Sequence, residues 1–188
     1  MSGRLGDADA LVDSPEQQEL FRRFTTGERA APGTDFLLVD EDGRLTGPPA
    51  AWQLSPTLGL GLERLGHAIR FSLSLPRRVQ EIVVLAVARA EDNDFERWAH
   101  VRAARAAGLS EAEITALLEG RPQFDSSVEQ CAYDLARALL TGAPLADADF
   151  DDAVAELGRT AVFEIVTLVG YYRLMAIQLR TFDIQPPS

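Results

Sequence analysis

The chain has 188 residues, of which 46% are hydrophobic and 25% are charged, and its formal net charge is −11. These values are typical of one globular domain with a sizeable core, and the acidic balance argues against nucleic acid or an anionic membrane as a partner, because both require a positive face. All 18 basic residues are arginine, which excludes a Schiff-base lysine, covalent attachment of pyridoxal phosphate and a Walker A lysine.

The first ten residues contain Asp7 and Asp9 and no apolar segment, so we predict no signal peptide and expect a cytoplasmic protein. The longest uninterrupted apolar run, residues 82–88, is too short to cross a bilayer, so we expect no membrane partner.

The first predicted helix begins at Ser14, which can cap it together with Gln17 in a capping box. Pro15 suits the first helical position, and Gly27 is expected to end the helix.

Residues 30–53 are rich in Gly, Pro and Asp and predict a loop that wraps the surface, with a turn at residues 40–43. We therefore assign residues 1–54 to an N-terminal helix and a wrapping loop that belong to the same unit as the rest of the chain.

The remainder of the chain predicts one helix after another, each bounded by cap residues, glycine or proline. No convincing strand pair appears, so the fold class is all-α: a compact multi-helix bundle over residues 55–182, followed by a tail at 183–188. The predicted helices begin at about 56 with apolar residues to 69, and then run at about 79–90, 94–107, 111–120, 127–140, 149–157 and 160–180.

Glu96 and His100 are spaced i,i+4 and therefore share one face of a predicted helix, with Asn93 one turn earlier. A carboxylate that hydrogen-bonds an imidazole fixes its tautomer and raises its basicity, which makes a proton shuttle. The alternative is a surface Glu–His pair, the commoner outcome for this spacing. A zinc site is not predicted, because the other histidine, His67, has the setting of a half-buried structural residue.

Glu81 lies at the head of a strongly apolar predicted helix. Burial there would raise the pKa of its carboxyl group toward a range useful for acid/base chemistry. An ion pair with Arg77 or Arg78 is an equally good explanation from the sequence alone.

Three further polar or reactive positions stand out in apolar surroundings. Cys131 is the single cysteine, so no intrachain disulfide forms, and its helical setting favours a small buried residue over a nucleophile. Glu164 requires a partner, for which an arginine of another helix is expected. Tyr171 and Tyr172 are predicted to pack in the core, with one hydroxyl free to face a pocket.

The segment from residue 75 to 120 resembles the core repeat of the carboxymuconolactone decarboxylase and alkylhydroperoxidase D-like superfamily. The glutamate, the acidic-aromatic turn, the histidine and the Ala-Gly-Leu-Ser cap occur in the family's order and spacing. The resembling strings are residues 75–81, 86–89, 95–100 and 107–110, with residues 163–172 similar to the closing helix of longer members.

The resemblance implies an alkylhydroperoxidase D-like fold and a homo-oligomer, from dimer to trimer or hexamer. Peroxidase members carry a Cys-x-x-Cys pair where this chain has Asn93 and Glu96, which disfavours peroxide reduction here. Decarboxylase members lack these thiols, keep the histidine and need no cofactor.

By that resemblance, the expected function is a cofactor-independent lyase or isomerase that uses general acid/base catalysis on a small carboxylated or lactone substrate. His100, Glu96 and Glu81 are the expected proton-transfer residues, and a substrate carboxylate could be held by Arg77, Arg78 or Arg97. The alternatives are an alkylhydroperoxidase-type activity, for which only Cys131 could serve, and a non-catalytic binding member. The residues predicted to bind substrate are Asn93, Trp98, Arg97 and Tyr171.

Overall fold

The computed structural model describes residues 4–6, 14–26, 38–40 and 43–187. These residues form eight α-helices and no strand apart from an isolated bridge between Val39 and Leu45, which confirms the all-α prediction. The helices are α1 (Pro15–Thr25), α2 (Pro48–Trp52), α3 (Pro56–Phe71), α4 (Arg77–Ala90), α5 (Asp94–Ala106), α6 (Glu111–Glu119), α7 (Ser127–Leu140) and α8 (Asp147–Thr181).

The chain divides into two compact units. The described residues of Met1–Phe71 and Ile177–Ser188 form the first, and Ser72–Ala176 form the second. The boundary expected at residue 55 and the tail expected at 183–188 remain predictions.

In the first unit, α1 begins as the sequence predicts. The Ser14 hydroxyl accepts a hydrogen bond from the Gln17 backbone N–H at 3.2 Å, and the Gln17 side chain accepts one from the Ser14 N–H at 3.1 Å. Leu20 and Phe24 are buried, and the Phe24 ring lies 5.8 Å from the Trp52 ring. The expected stop at Gly27 lies outside the described residues.

The predicted loop at residues 30–53 is wrong at its C-terminal end, because Pro48–Trp52 forms the short helix α2. All five of its residues are buried, so packing overrides the loop-like Gly and Pro content. A side chain at Gly59 of α3 would place its Cβ 2.7 Å from the Trp52 Cβ, so this helix pair depends on glycine at that position. Of the predicted turn at 40–43, the Gly43 N–H donates to the Asp40 carbonyl at 3.0 Å, while residues 41–42 lie outside the described chain.

Helix α3 confirms a predicted helix but buries an unexpected face. Gly59, Glu63 and Ile69 are buried, whereas Leu58 is 61% exposed. The buried carboxylate of Glu63 is paired with Arg23 of α1 at 3.1 Å.

In the second unit, α4 is the central helix and packs against α5, α6 and α7. Every residue from 79 to 88 is buried, which explains why this segment is apolar apart from Gln80 and Glu81. The core that surrounds it includes Ile82, Leu85, Leu117 and Tyr133.

The helices around α4 start and stop where cap residues predict. The side chain of Asn93 accepts a hydrogen bond from the Glu96 N–H at 2.9 Å, and Ser110 forms a capping box with Glu113. Gly120 ends α6 at a φ of +78°, and a Cβ there would meet the Arg89 guanidinium at 2.2 Å. The positive φ favours glycine at this stop, and the Arg89 side chain would have to move aside for any larger residue.

Helix α8 is interrupted at Gly158, whose φ is +82°. The break lies between the two helices predicted at 149–157 and 160–180 and agrees with that prediction. By length and composition, α8 is the one helix of the described chain that could cross a membrane, with a mean hydropathy of 1.4. Core helices of soluble proteins pass the same test, and Ile165, Leu168 and Met175 of α8 are buried.

Candidate active site

Three ionisable side chains from α4 and α5 meet inside the second unit. The Nδ1 atom of His100 lies 2.7 Å from Oε2 of Glu81, and its Nε2 atom lies 3.3 Å from Oε2 of Glu96. The side chains of all three residues are at most 7% exposed. The sequence left open a surface Glu–His pair, and that alternative is wrong because both residues are buried.

The two carboxylates determine the protonation of His100. Burial by itself lowers the pKa of the imidazole, but the charge of Glu81 and its hydrogen bond, followed by the contacts with Glu96, outweigh burial and raise the pKa to about 9. His100 is therefore an imidazolium at neutral pH, and both ring nitrogens have a proton to donate to a carboxylate oxygen.

Arg77 connects the cluster to solvent. Its Nη2 donates to the second oxygen of Glu81 at 2.9 Å, and its Nη1 donates to Oε1 of Gln80 at 2.8 Å. The side chain of Arg77 is 43% exposed. The sequence left open either burial of Glu81 or an ion pair with Arg77 or Arg78, and in the structure Glu81 is both buried and paired with Arg77.

An aromatic ring closes another side of the cluster. The ring of Tyr172 lies 4.9 Å from the His100 ring in a T-shaped arrangement, and Tyr171 packs against Tyr172 in turn at 5.5 Å. The ring of Tyr172, a residue that was not among the predicted site residues, therefore packs against His100. Tyr171 is buried, as expected for core packing.

Asn93 is buried, and its side chain makes hydrogen bonds within the protein. Besides capping α5, its side-chain amide donates to the Ala176 carbonyl of α8 at 3.3 Å. The other residues that were predicted to bind substrate lie toward the surface of α5: Arg97 pairs with Asp92 and with Asp94, the latter at 3.2 Å, and Trp98 stacks under the guanidinium of Arg102 at 4.3 Å.

The three arginines that could hold a substrate carboxylate have different surroundings. Arg78 contacts Glu113, Glu129 and the Gly108 carbonyl, and the hydrogen bonds of the two carboxylates raise its pKa. Its donors are therefore already used between helices. Arg77 is the arginine of the three that contacts Glu81.

Among the described residues no arginine pairs with the buried carboxylate of Glu164, so the expected arginine partner is wrong there. Its oxygens accept hydrogen bonds from the Ser74 N–H at 2.9 Å, the Ser74 hydroxyl at 2.9 Å and the Leu75 N–H at 3.1 Å. Glu164 therefore holds the backbone that leads into α4.

Cys131 lies in a different region, beside a cavity of about 700 Å³ between α7 and the first part of α8. The thiol is partly buried, and burial followed by the charges of Glu156, Asp134 and Asp152 raises its pKa. The residues that line this cavity do not include Glu81, Glu96 or His100.

Metal binding has no support from the described residues, since no group of three or more His, Cys, Asp or Glu side chains there has the arrangement of a metal site. In the cluster at His100, both ring nitrogens lie against carboxylate oxygens. This arrangement suits hydrogen bonds from a protonated ring better than the binding of a metal ion.

The fold and the cluster define an all-helical protein with a buried carboxylate–histidine–carboxylate arrangement. Residues 56–124 match the model of the carboxymuconolactone decarboxylase family. Over these residues the match confirms the family resemblance that was predicted from the sequence. No curated protein matches the chain in sequence.

Solved structures resemble the fold over most of its length. The debrominase Bmp8, both in its apo form and as a variant in complex with 2,3,4-tribromopyrrole, gives a TM-score of 0.70 at 17% identity, covering 94% of this chain and 88% of that one. ATU0492 of Agrobacterium tumefaciens, a protein of unknown function whose name proposes an antioxidant defence protein AhpD, gives 0.62 at 21% identity, covering 73% of this chain and 95% of that one. At these identities the likeness shows the fold alone.

Two contacts of the cluster escaped the sequence-based prediction. Gln80 is buried and hydrogen-bonds Arg77, and Tyr172 packs on His100. A glutamine in an otherwise apolar helix, one residue before Glu81, was a usable signal because a buried amide requires partners. Which of two adjacent tyrosines faces α5 depends on the rotation of α8 and had no local signal.

Proposed function

We propose that the protein is a cofactor-independent enzyme that transfers protons to and from a small carboxylated or lactone substrate, as a lyase or an isomerase. The observation that carries this proposal is a buried, protonated His100 held between Glu81 and Glu96. A buried histidine whose pKa is shifted by two neighbouring carboxylates is typical of acid/base sites.

The two sides of the imidazole suit different roles. The Nδ1 contact to Glu81 is short, and Glu81 is itself held by Arg77, so this side orients the ring. The Nε2 contact to Glu96 is longer, at 3.3 Å. The Nε2 proton is therefore the one more available for transfer, with Glu96 placed to exchange it.

A decarboxylation needs little more than this. As the bond to the substrate carboxylate breaks, its electron pair moves into the conjugated lactone carbonyl, and carbon dioxide leaves. The imidazolium of His100 then supplies a proton to the carbanionic carbon, and Glu96 assists its reprotonation from solvent. In an isomerisation, Glu96 would remove one proton and His100 would return another.

Arg77 is the best candidate for a substrate anchor. Its guanidinium is partly exposed and lies against Glu81, so a substrate carboxylate bound to its free edge would lie beside the cluster. The roles predicted for Asn93, Trp98, Arg97 and Tyr171 in binding substrate remain predictions.

A thiol peroxidase is the weaker alternative. Its nucleophile would have to be Cys131, whose raised pKa disfavours the reactive thiolate. Full peroxide reduction by a Cys131→Ser variant would leave no thiol mechanism.

We also propose that the protein is cytoplasmic and that it self-associates. Self-association is what the family resemblance implies. Three large apolar side chains of α8 in the second unit are exposed on the helix: Phe163, Val166 and Leu174. Covering such a stripe is favourable in water. In sedimentation-velocity analysis the wild type should run as an oligomer, and Phe163→Asp should shift it toward the monomer. A monomeric wild type would contradict this proposal.

The catalytic proposal is tested by comparing the two histidines of the chain. His100→Gln should lower turnover of the best substrate in a panel of lactones and carboxylated lactones by about 100-fold or more. His67→Gln, which changes a half-buried histidine packed on Phe71, should keep wild-type turnover. Circular dichroism checks that both variants fold. Undiminished turnover in folded His100→Gln would contradict the assignment of the catalytic site to His100. If the wild type turned over no substrate of the panel, a non-catalytic binding protein would be favoured.

A further inference from the structure

A continuous chain of hydrogen bonds runs from α8 to the candidate site. Glu164 accepts from the Leu75 N–H, and the Leu75 carbonyl accepts from Nε2 of Gln80 at 2.8 Å. Oε1 of Gln80 accepts from Arg77, whose other nitrogen donates to Glu81. Glu81 then contacts His100 at 2.7 Å.

Gln80 uses both ends of its amide in this chain. It is 4% exposed, so its donor and its acceptor both depend on partners within the protein. Its donor is fixed on the Leu75 carbonyl, which leaves the acceptor pointing at Arg77. The chain thereby selects one orientation of the amide and, with it, one position for the guanidinium.

Arg77 requires such support. Its side chain is long and partly exposed, and a free arginine of this kind samples many rotamers. Two hydrogen bonds, one to Gln80 and one to Glu81, keep its planar guanidinium against the cluster. With one oxygen of Glu81 occupied by Arg77, the other is directed at Nδ1 of His100.

We propose that Gln80 is a positioning residue that acts through Arg77 to hold Glu81 on His100, and that Glu164 anchors it by fixing the backbone of Leu75. The consequence for catalysis rests on the proposed function, whereas the geometry does not. The groups that face His100 are Glu81 of α4, Glu96 of α5 and Tyr172 of α8.

The direct measure is solvent exchange of the Nδ1 proton of His100, followed by NMR of the full-length protein at pH 7. The chain has two histidines, so His67→Gln identifies the resonance. In Gln80→Met, which keeps the side-chain length but has no hydrogen bonds, the exchange should be about tenfold faster. Glu164→Gln, which leaves a single acceptor, should give a smaller increase.

A double-mutant cycle tests whether Gln80 acts through Arg77. Arg77→Met should speed the same exchange, and adding Gln80→Met to it should have little further effect. Fully additive effects, or a wild-type exchange rate in Gln80→Met, would overturn the proposal.

Two controls separate positioning from general destabilisation. Gln53 is another buried glutamine, in the first unit, and Gln53→Met should leave the His100 proton unchanged. Exchange of the Leu85 backbone amide, in the middle of α4, reports opening of the core and should stay at the wild-type rate in Gln80→Met. Equal acceleration of both protons would mean that Gln80 is only structural, which overturns the proposal.

Gln80→Glu covers the case in which Gln80→Met does not fold. It keeps the acceptor for Arg77 and loses the donor to Leu75, so exchange of the Nδ1 proton should lie between the wild-type and Arg77→Met rates. A rate equal to that of Arg77→Met would contradict the proposal. On an active substrate, Gln80→Met should lower kcat, because Glu81 is held less firmly on His100, and should also raise KM, because Arg77 would anchor the substrate carboxylate less well. If the Nδ1 proton exchanged faster in Gln80→Met but the wild type turned over no substrate, the positioning role of Gln80 would be supported and the proposed function would be contradicted.

Discussion

His100 and Cys131 lie in two regions of the same unit, and both are surrounded by carboxylates, with opposite chemical results. At His100 the negative charges favour the protonated ring and raise the pKa to about 9. At Cys131, burial and the carboxylates of Glu156, Asp134 and Asp152 also favour the protonated form and raise the pKa. Protonated histidine is a charged acid, whereas protonated cysteine is a poor nucleophile. The same electrostatics therefore favours an acid at His100 and disfavours the reactive thiolate at Cys131.

The two regions also differ in how firmly the charges are held. Glu81 and Glu96 are buried and within hydrogen-bonding range of His100, whereas Asp134, Asp152 and Glu156 are exposed around an open cavity. Exposed charges are screened by salt, and buried ones are screened much less. An acidic protein therefore gains a useful acid only where packing brings carboxylates close.

The largest effect is expected at Glu81, since it contributes more than Glu96 to the raised pKa of His100. In Glu81→Gln the pKa of His100 should fall further than in Glu96→Gln, and turnover should fall by about 100-fold or more. NMR titration of the His100 ring in the two variants measures its pKa. A larger fall in Glu96→Gln would contradict the order of the two carboxylates, and Glu156→Gln is the control that should leave His100 unchanged.

The raised pKa of His100 also predicts how stability depends on pH. The pKa rises from 6.5 in the unfolded chain to about 9 in the folded one, so the folded protein binds this proton more tightly. The resulting stability is fully present below pH 6.5 and is lost as the pH rises through 9. Its size is on the order of 3 kcal/mol, at about 1.4 kcal/mol per pH unit.

Urea unfolding of the wild type and of His100→Gln between about pH 6 and about pH 10 measures this contribution. The difference in the free energy of unfolding between the two proteins should shrink as the pH rises. A difference that stays constant over this range would mean that His100 is not held protonated by its carboxylates.

The smallest effect is expected at Cys131. The rate of its reaction with a thiol reagent should rise with pH, and the pH midpoint of that rise should lie above that of a free cysteine. The reason is that burial and three carboxylates raise the thiol pKa. Asp134→Asn, or a higher salt concentration, should lower that midpoint. The same salt should move the titration of His100 much less, and an equal response of the two groups would break the contrast between them.

The helical fold could be predicted almost completely from the sequence. Local signals determined where α1, α5 and α6 begin, through the side chains of Ser14, Asn93 and Ser110, and Gly120 determined where α6 ends. Such signals act within a few residues and need no tertiary contact. The missed helix α2 has no such cap bond and is stabilised by burial, which the sequence does not display.

The candidate site divides in the same way. The spacing of Glu96 and His100 placed them on one helix face, the apolar setting of Glu81 singled it out, and the family resemblance joined the three into a candidate site. Neither could decide whether the pair is buried, and Glu164 had no local sign that its partners would be the N–H groups of Ser74 and Leu75.

By itself, the sequence predicted every helix except α2, the family resemblance and the candidate proton-transfer residues, because cap bonds and helical spacing are short-range. Only the tertiary structure decided that Glu81 and Glu96 lie on opposite sides of His100, that Tyr172 packs on the ring, and that Cys131 lies beside a cavity whose lining does not include the cluster. These outcomes depend on how α4, α5 and α8 are rotated about their axes. That rotation is determined by the packing of whole helix faces, and the burial it produces determines the protonation of His100.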